Sequence, residues 1–231
     1  MARLRAEPAR RADPRGGAAL ALSRGRFITV EGPDGSGKTT AARHLAEWLR
    51  GRGVDVVLTQ EPGGTPLGDE VRRLVLHLRG VSDALDPRAD ALLYAAARAQ
   101  HTALVILPAL ERGQWVVSAR YSDSSLAYQG DGYGNDMAEM RRLQEFATYG
   151  TRPDLTLLLD VPVEVGLERT RRRDEWNRFE DTEEVAFFEQ VRGGYLRLAA
   201  EEPDRIKVVD GSGSVGEADA AIRAIVQPLL G

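Results

Sequence analysis

The sequence contains no cysteine and no long run of apolar residues. Without cysteine the chain can form neither disulfides nor thiolate metal sites, and it has no thiol nucleophile, which suits a reducing cytosol. Because no run of about 18 apolar residues occurs, no segment is expected to span a membrane. We therefore expect a cytoplasmic protein that does not interact with a membrane.

A strong excess of basic residues is missing as well, since the formal net charge of the 231 residues is -4. This balance argues against a nucleic-acid-binding protein, although a local basic cluster could still hold a phosphorylated small molecule. The length suits one well-buried α/β domain. We expect residues 26–231 to form that domain.

Residues 1–25, MARLRAEPARRADPRGGAALALSRG, are rich in Arg, Ala, Pro and Gly and show neither helical nor strand periodicity. We interpret them as a disordered tail. The apolar stretch AALAL is too short for the core of a secretory signal. An overlong assignment of the start codon accounts for these residues better.

In the rest of the chain, short runs rich in β-branched residues alternate with longer helical patterns. This alternation is typical of βαβ units that build a parallel sheet covered by helices on both faces. Asp86 before Pro87 is typical of a helix start, and Pro108 should kink that helix near its end. The predicted strands cover residues 27–31, 54–59, 114–118, 155–160 and 206–209, and the predicted helices cover 38–50, 88–113, 137–149 and 182–201.

The stretch GPDGSGKT, residues 32–39, matches the P-loop pattern G-x-x-x-x-G-K-[ST] and lies between a predicted strand and a predicted helix. Its glycines allow backbone N–H groups to turn toward phosphates at the helix N-terminus. Lys38 should contact the β- and γ-phosphates, and the Thr39 hydroxyl should bind Mg²⁺. The predicted nucleoside triphosphate site consists of Gly32, Asp34, Gly35, Ser36, Gly37, Lys38, Thr39 and Thr40.

A P-loop alone does not separate kinases from GTPases, partition ATPases or motor modules. The Asn-Lys-x-Asp motif of GTPases does not occur, and the second P-loop lysine of partition ATPases is missing. A kinase is favoured by the five arginines between residues 169 and 178. Arginines that close over a transferring phosphoryl group neutralise its charge and exclude water. A solvated basic helix face is the alternative.

Four separated blocks of this sequence resemble the bacterial type of thymidylate kinase, from about residue 26 to the C-terminus. They are EGPDGSGKTT, EPGGTPLGDEVRRLVL, LLYAAARAQH with ARYSDSSLAYQG, and RPDLTLLLDVPVEVGLER running into NRFED. The resemblance implies a P-loop NTPase fold of three α/β/α layers around a five-stranded parallel sheet. It also implies transfer of the γ-phosphoryl group of ATP, as its Mg²⁺ complex, to dTMP, and a homodimer formed by helices.

The resemblance further implies roles in an acceptor site. Tyr94, which periodicity alone would place in the core, corresponds to the aromatic residue that stacks on thymine. Arg98, one turn later, corresponds to the arginine that hydrogen-bonds the base. Ser125 and Gln129 correspond to positions that face the base, and Tyr128 to the residue under the sugar, where a ribose 2′-hydroxyl would otherwise fit.

Charged residues around the phosphates are implied in the same way. Arg72 corresponds to the arginine that holds the acceptor phosphate, whereas its neighbour Arg73 fits a solvated helix position. Arg120 corresponds to an arginine between the donor and acceptor phosphates. Asp34 corresponds to the acid near the sugar 3′-hydroxyl.

Residues 169–182 correspond to the mobile lid of this family. Families of this kind place a catalytic arginine either in the P-loop or on the lid, and the variable P-loop positions 33–36 hold none. The lid must therefore supply it. Arg169 and Arg173 are both candidates, and Arg178 is expected to make a contact at the lid edge.

Two residues depart from the family pattern. Gln60 stands where an arginine usually precedes Glu-Pro-Gly-Gly. Ala119 stands where an acid, most often aspartate, precedes the arginine, at the position whose carboxylate organises Mg²⁺ and its waters in P-loop enzymes. Glu61 is the better candidate to hold a metal-bound water instead, and Asp160 is a weaker one.

Three interpretations of the sequence remain, and Ala119 bears on the first and the third. The first is an active dTMP kinase that needs much Mg²⁺, or an impaired one. The second is a kinase of another nucleoside monophosphate. The third is a nucleotide-dependent switch or binding protein that has lost the chemistry.

Overall fold

The computed structural model describes residues 24–77, 85–171 and 185–231. Five parallel strands form one sheet in the order β2-β3-β1-β4-β5. The strands are β1 (Phe27–Glu31), β2 (Val56–Gln60), β3 (Trp115–Ala119), β4 (Leu155–Asp160) and β5 (Ile206–Asp210). The predicted five-stranded parallel sheet is confirmed. β2, β3 and β5 each end one residue later than predicted; for β2 and β3 the reason is that Gln60 still pairs with Ala119.

Nine α-helices lie within the described ranges, on both faces of the sheet. They are α1 (Lys38–Arg50), α2 (Pro66–His77), α3 (Pro87–His101), α4 (Leu107–Glu111), α5 (Ser122–Ser125), α6 (Met137–Ala147), α7 (Val163–Arg171), α8 (Val185–Glu201) and α9 (Val215–Val226). Two π-helical segments, Thr102–Ile106 and Leu126–Gly132, and one 3₁₀ turn, Gln227–Leu230, complete them. The start predicted for the helix over 182–201 lies outside the described residues.

The long helix predicted over residues 88–113 is interrupted in the structure. The Asp86 side chain accepts hydrogen bonds from the backbone N–H groups of Arg88 and Ala89, so the predicted helix start is confirmed. α3 then passes into the π-helical segment Thr102–Ile106, which leads into α4. Pro108 has no N–H to continue the α-helical pattern. The irregularity therefore lies directly before the proline.

Residues of one strand alternate between the two faces of the sheet. Ile28 and Val30 of β1 pack in a cluster with residues of α1 and α9. Phe27 points to the opposite face, where it packs with residues of α4 and β3. Glu31, two pleats after Phe27 along β1, lies on the same face of the sheet as Phe27.

None of the helices in the described ranges could serve as a membrane-spanning segment.

A buried ion pair ties α5 to the beginning of β5. Asp123 accepts hydrogen bonds from Nη1 and Nη2 of Arg205 at 2.7 and 2.9 Å. The two side chains are only 3% and 12% exposed. Arg205 Nη1 also donates to Thr156 at 2.8 Å, which extends the contact to β4. This pair fixes the segment that follows β3.

Asp123→Ala should destabilise the fold, because it leaves the Arg205 guanidinium buried without its main partner. We expect the free energy of unfolding to drop by about 3 kcal/mol. Urea unfolding measures this change. Arg73→Ala is the control, since Arg73 and its partner Glu70 are 73% and 68% exposed, and its effect should stay below about 0.5 kcal/mol. Equal effects of the two substitutions would contradict this account of Asp123.

Candidate active site

The P-loop leaves β1 at Glu31 and enters α1 at Lys38. Gly32, Gly35 and Gly37 all have positive φ angles, of 141°, 76° and 92°. A Cβ atom at Gly35 would lie 2.1 Å from the carbonyl oxygen of Gly166 in α7. Only glycine therefore allows the loop to lie this close to α7.

The N-terminus of α1 is open to an anion. Gly37 precedes the helix and no side chain caps its first turn, so backbone N–H groups and the helix dipole can act on a phosphate. Lys38 is 8% exposed, and its Nζ atom donates to the carbonyl oxygen of Pro33 at 2.6 Å. The same Nζ lies 3.9 Å from Asp34 Oδ1. These residues fit a nucleoside triphosphate.

Thr39, the residue expected to bind Mg²⁺, lines an open pocket of about 210 Å³ together with Gln60 and Ala119. The described residues contain no group of three or more His, Cys, Asp or Glu side chains that could hold a metal. The pocket is also lined by Ala42 and Leu58 and is mostly apolar. Mg²⁺ usually binds through phosphates, waters and few protein ligands, so the Thr39 hydroxyl directly after the P-loop lysine is the group that fits it. Gln60 and Ala119 are direct cross-strand neighbours, and the two departures from the family pattern therefore lie side by side.

Arg120 follows β3 and contacts the P-loop. Its φ angle of 72° lies in the left-handed region. Nη1 donates to the carbonyl oxygen of Gly32 at 3.4 Å, and Nη2 donates to Asp34. On its other side Nη2 donates to the Tyr128 hydroxyl at 3.3 Å, with the guanidinium 4.9 Å from the Tyr128 ring centroid. Arg120 thus joins the P-loop to the segment that carries the predicted acceptor residues.

Glu31 was not identified from the sequence as a residue of the candidate site. Its position would have indicated it, because it is a charged residue at the end of a strand directly before the P-loop. Its carboxylate is 0% exposed. It accepts hydrogen bonds from the Tyr121 backbone N–H and the Ser124 hydroxyl, both at 2.6 Å. Burial, followed by the negative charge of Asp123, raises the pKa of Glu31 to about 7.

Arg98 is buried on the acceptor side, with 1% exposure. Nε donates to Glu61 at 2.7 Å, and Nη2 donates to the carbonyl oxygen of Tyr121 at 2.9 Å. Nη1 donates to Ser125 at 2.8 Å and also to Gln144. Four of the five guanidinium N–H groups are thus used within the described protein. One N–H of Nη2 makes no hydrogen bond to the described residues, and the predicted contact of Arg98 with a base stays a prediction.

Glu61 holds this arginine in place. One carboxylate oxygen accepts from Arg98, and the other accepts from His101 Nδ1 at 2.8 Å. His101 Nε2 lies 2.7 Å from the Thr59 hydroxyl. Because both Glu61 oxygens face these partners, the structure places Glu61 as a support for Arg98, and its role at a metal-bound water stays a prediction. His101 was not identified from the sequence.

Three further residues predicted for the acceptor site have contacts within the protein. Tyr94 packs against the buried cluster that contains Val71 and Val75. Gln129 is buried and donates to Asp90 at 3.0 Å. Arg72 donates to the carbonyl oxygen of Pro62 at 3.1 Å, next to Glu61. Their predicted contacts with a nucleotide stay predictions.

The lid is described only in its first residues. Arg173 and Arg178 lie outside the described residues, as does the lid from residue 172 onward. Arg169 donates to the carbonyl oxygens of Gly211 and Ser212 at 2.8 and 3.2 Å. These bonds direct Arg169 to the loop after β5, and its catalytic role stays a prediction.

Asp160, the weaker candidate for the missing acid, has both carboxylate oxygens on Arg192, at 2.7 and 2.9 Å. Whether Asp160 replaces the missing acid stays a prediction.

Comparison with known proteins identifies the family. The family model described as thymidylate kinase matches residues 30–222. The chain belongs to the thymidylate kinase family. It is 47% identical over 206 residues to a thymidylate kinase of Nitrosomonas europaea, which covers 89% of this chain and 94% of the relative. It is 50% identical over 197 residues to a thymidylate kinase of Syntrophotalea carbinolica, with 83% and 90% covered.

A solved structure agrees with this assignment. The crystal structure of thymidylate kinase from Ehrlichia chaffeensis superposes with a TM-score of 0.70 at 32% sequence identity. The match covers 88% of this chain and 99% of that chain. The predicted P-loop NTPase fold is confirmed for this thymidylate kinase family member.

The raised pKa of Glu31 makes the stability of this kinase depend on pH. Between the ordinary pKa of 4.5 and the folded-state value of about 7, the folded chain holds a proton that the unfolded chain has released. The free energy of unfolding should therefore fall by about 3 kcal/mol as pH rises through this window. Glu31→Gln cannot titrate and should lack this component. Urea unfolding of both proteins from about pH 4.5 to about pH 8 tests it, and parallel pH profiles would refute it.

Proposed function

We propose that this chain transfers the γ-phosphoryl group of ATP, bound as its Mg²⁺ complex, to dTMP, and releases dTDP and ADP. The observation that carries the proposal is the position of Arg120. Its guanidinium contacts Asp34 and Gly32 of the P-loop and also Tyr128 of the acceptor segment. A phosphate on either side would lie within reach of the same cation.

Phosphoryl transfer needs little covalent chemistry from the protein, so positioning and charge stabilisation do most of the work. Lys38 and the backbone N–H groups at the start of α1 hold the donor phosphates. When bound, Mg²⁺ neutralises charge on these phosphates, and the Thr39 hydroxyl would hold it. Arg120 stabilises the charge that is shared between donor and acceptor, and a lid arginine, Arg169 or Arg173, closes over it.

The acceptor site selects a thymine deoxynucleotide in this proposal. Tyr94 stacks on the base, and the remaining N–H of Arg98 Nη2 donates to it. Ser125 and Gln129 face the base. Tyr128 packs under the sugar, where its ring and its contact with Arg120 leave no room for a 2′-hydroxyl. Arg72 holds the acceptor phosphate, and Asp34 lies at the 3′-hydroxyl.

The proposal includes a homodimer. Leu92 of α3, Leu104 of the following π-helical segment and Phe146 of α6 are 58%, 60% and 83% exposed. Apolar side chains exposed on neighbouring elements favour burial against another protein surface. A second copy of this chain would cover them through a symmetric contact.

The remaining parts of the proposal are a cytoplasmic location and a single nucleotide kinase domain over residues 26–231. Residues 1–23 of the predicted tail lie outside the described residues, and so does the predicted lid from residue 172 onward. Gly25, the last residue of that predicted tail, is buried and its backbone N–H donates to the carbonyl oxygen of Leu110 at 2.9 Å.

A coupled assay of ADP release tests the activity. With ATP and Mg²⁺ we expect dTMP to stimulate ADP release far more than dCMP or AMP does. Lys38→Ala should lower kcat at least about 100-fold, because it removes a cation from the transferring group. Arg73→Ala is the matched control and should behave as the unmodified enzyme. Equal turnover of the three nucleotides would favour another nucleotide kinase, and ATP binding without dTMP-stimulated ADP release would favour a switch protein.

Ala119→Asp tests whether the missing acid limits Mg²⁺ use. An aspartate at this position would face the pocket beside Thr39 and orient the waters of the metal ion. We expect the Mg²⁺ concentration for half-maximal activity to fall about tenfold, with a rise in kcat at low Mg²⁺. Ala119→Asn, of the same size but uncharged, is the control. Equal Mg²⁺ requirements and equal kcat of the aspartate and asparagine variants would contradict this interpretation of Ala119.

A further inference from the structure

The carboxylate of Glu31, directly before the P-loop, has no role in the proposed function above. It is fully buried at the end of β1. We infer that Glu31 is a positioning residue, which fixes both the backbone and the guanidinium of Arg120 between the donor and acceptor sites. The inference rests on the proposed function for the role of Arg120 in phosphoryl transfer.

The first contact acts on the backbone. Glu31 Oε1 accepts a hydrogen bond at 2.6 Å from the N–H of Tyr121, the residue directly after Arg120. The N–H of Arg120 itself donates to the carbonyl oxygen of Val30 at 3.0 Å. Arg120 has a φ angle of 72°, an unfavourable conformation for a residue with a Cβ, which persists only where its surroundings hold it. Consecutive residues of β1 therefore hold the turn on both sides of Arg120.

The second contact acts on the side chain. Glu31 Oε2 accepts from the Ser124 hydroxyl at 2.6 Å and from the Tyr195 hydroxyl at 3.1 Å. Arg120 Nη1 donates to these same two hydroxyl oxygens at 3.1 and 3.4 Å. The two hydroxyl oxygens also lie 2.8 Å from each other, so the Tyr195 proton can go either to Ser124 or to Glu31. A hydroxyl has a single proton to donate, so donation of the Ser124 proton to Glu31 leaves the Ser124 lone pairs for Arg120 and Tyr195. The carboxylate thus orients the Ser124 hydroxyl as an acceptor for the guanidinium.

The charges around Glu31 favour a role that requires a carboxylate. The charged and titratable groups that face it are Arg120 after β3, Asp123 in α5 and Tyr195 in α8. Burial and Asp123 both oppose its ionisation and raise its pKa, whereas Arg120 lowers it. A glutamine would fill the same space without this cost, but its NH2 group would face either the Tyr121 N–H or the two hydroxyls, and only its single oxygen could accept. An ionised Glu31 can accept from all three.

A double-mutant cycle between Glu31→Gln and Arg120→Met tests whether Glu31 acts through Arg120. Glu31→Gln alone should lower kcat about 10- to 100-fold and leave the KM for ATP nearly unchanged. In the Arg120→Met background the same substitution should lower kcat by less than about twofold, because the group that it positions is gone. Losses that multiply in the double variant would overturn the inference. A loss of unfolding free energy with unchanged kcat would also overturn it.

The pH profile of kcat gives a readout that a purely structural role would not move. The kcat of the unmodified enzyme should fall as pH drops below about 7, where Glu31 gains a proton and can no longer accept from three donors. The Glu31→Gln variant should not show this decrease of kcat at low pH. If Glu31→Gln does not fold, Ser124→Ala removes one bridging hydroxyl and should show the same non-additivity with Arg120→Met. Additive losses there would overturn the inference.

A measurement that does not depend on catalysis distinguishes a failure of this inference from a failure of the proposed function. If dTMP stimulates no ADP release in the unmodified chain, the proposed function fails, and the contact is read from the ¹⁵N NMR signals of the Arg120 guanidinium. These signals are assigned by their loss in Arg120→Met. We expect slowly exchanging Nη–H signals in the unmodified chain that broaden or disappear in Glu31→Gln. Identical signals in both proteins would overturn the positioning role.

Discussion

The rest of the site depends on the contact between Arg120 and the P-loop acid Asp34. β1 and β3 are neighbours in the sheet, so the loops after them meet at the carboxyl edge, where parallel α/β sheets bind ligands. Asp34 pairs with Arg120 and also lies beside Lys38, so one carboxylate connects the cations of both half-sites. In the proposed function, this pairing sets the donor and acceptor sites relative to each other.

Much of the fold follows from local sequence patterns. The strand runs, the glycine-rich loop and the Asp86-Pro87 helix start depend on neighbours in the chain, and the structure confirms them. The short helix α5 and the π-helical segment Leu126–Gly132 have no periodicity of their own that would identify them. Because tertiary contacts define these two elements, they could not be identified from the sequence.

The candidate site also contains residues that local sequence patterns identify and residues that they do not. The P-loop residues could be derived from their pattern, whereas the acceptor residues were reached only through the family resemblance. The supports of the arginines, Glu31 and His101, were missed because each pairs with residues far away in the sequence: Glu31 with Ser124, and His101 with Glu61. Gln60 and Ala119, which lie far apart in the sequence, prove to be neighbours, so the family's arginine and acid are absent from one place, beside Thr39.

A crystal structure of the chain with dTMP, ADP and Mg²⁺ tests whether Arg120 joins the two nucleotide sites. We expect the thymine ring against Tyr94, with a hydrogen bond from Arg98 Nη2 to the base. We also expect the ADP phosphates in the P-loop and the Arg120 guanidinium between the two nucleotides. Binding of dTMP away from Tyr94 and Arg98, or an Arg120 that contacts neither nucleotide, would contradict this expectation.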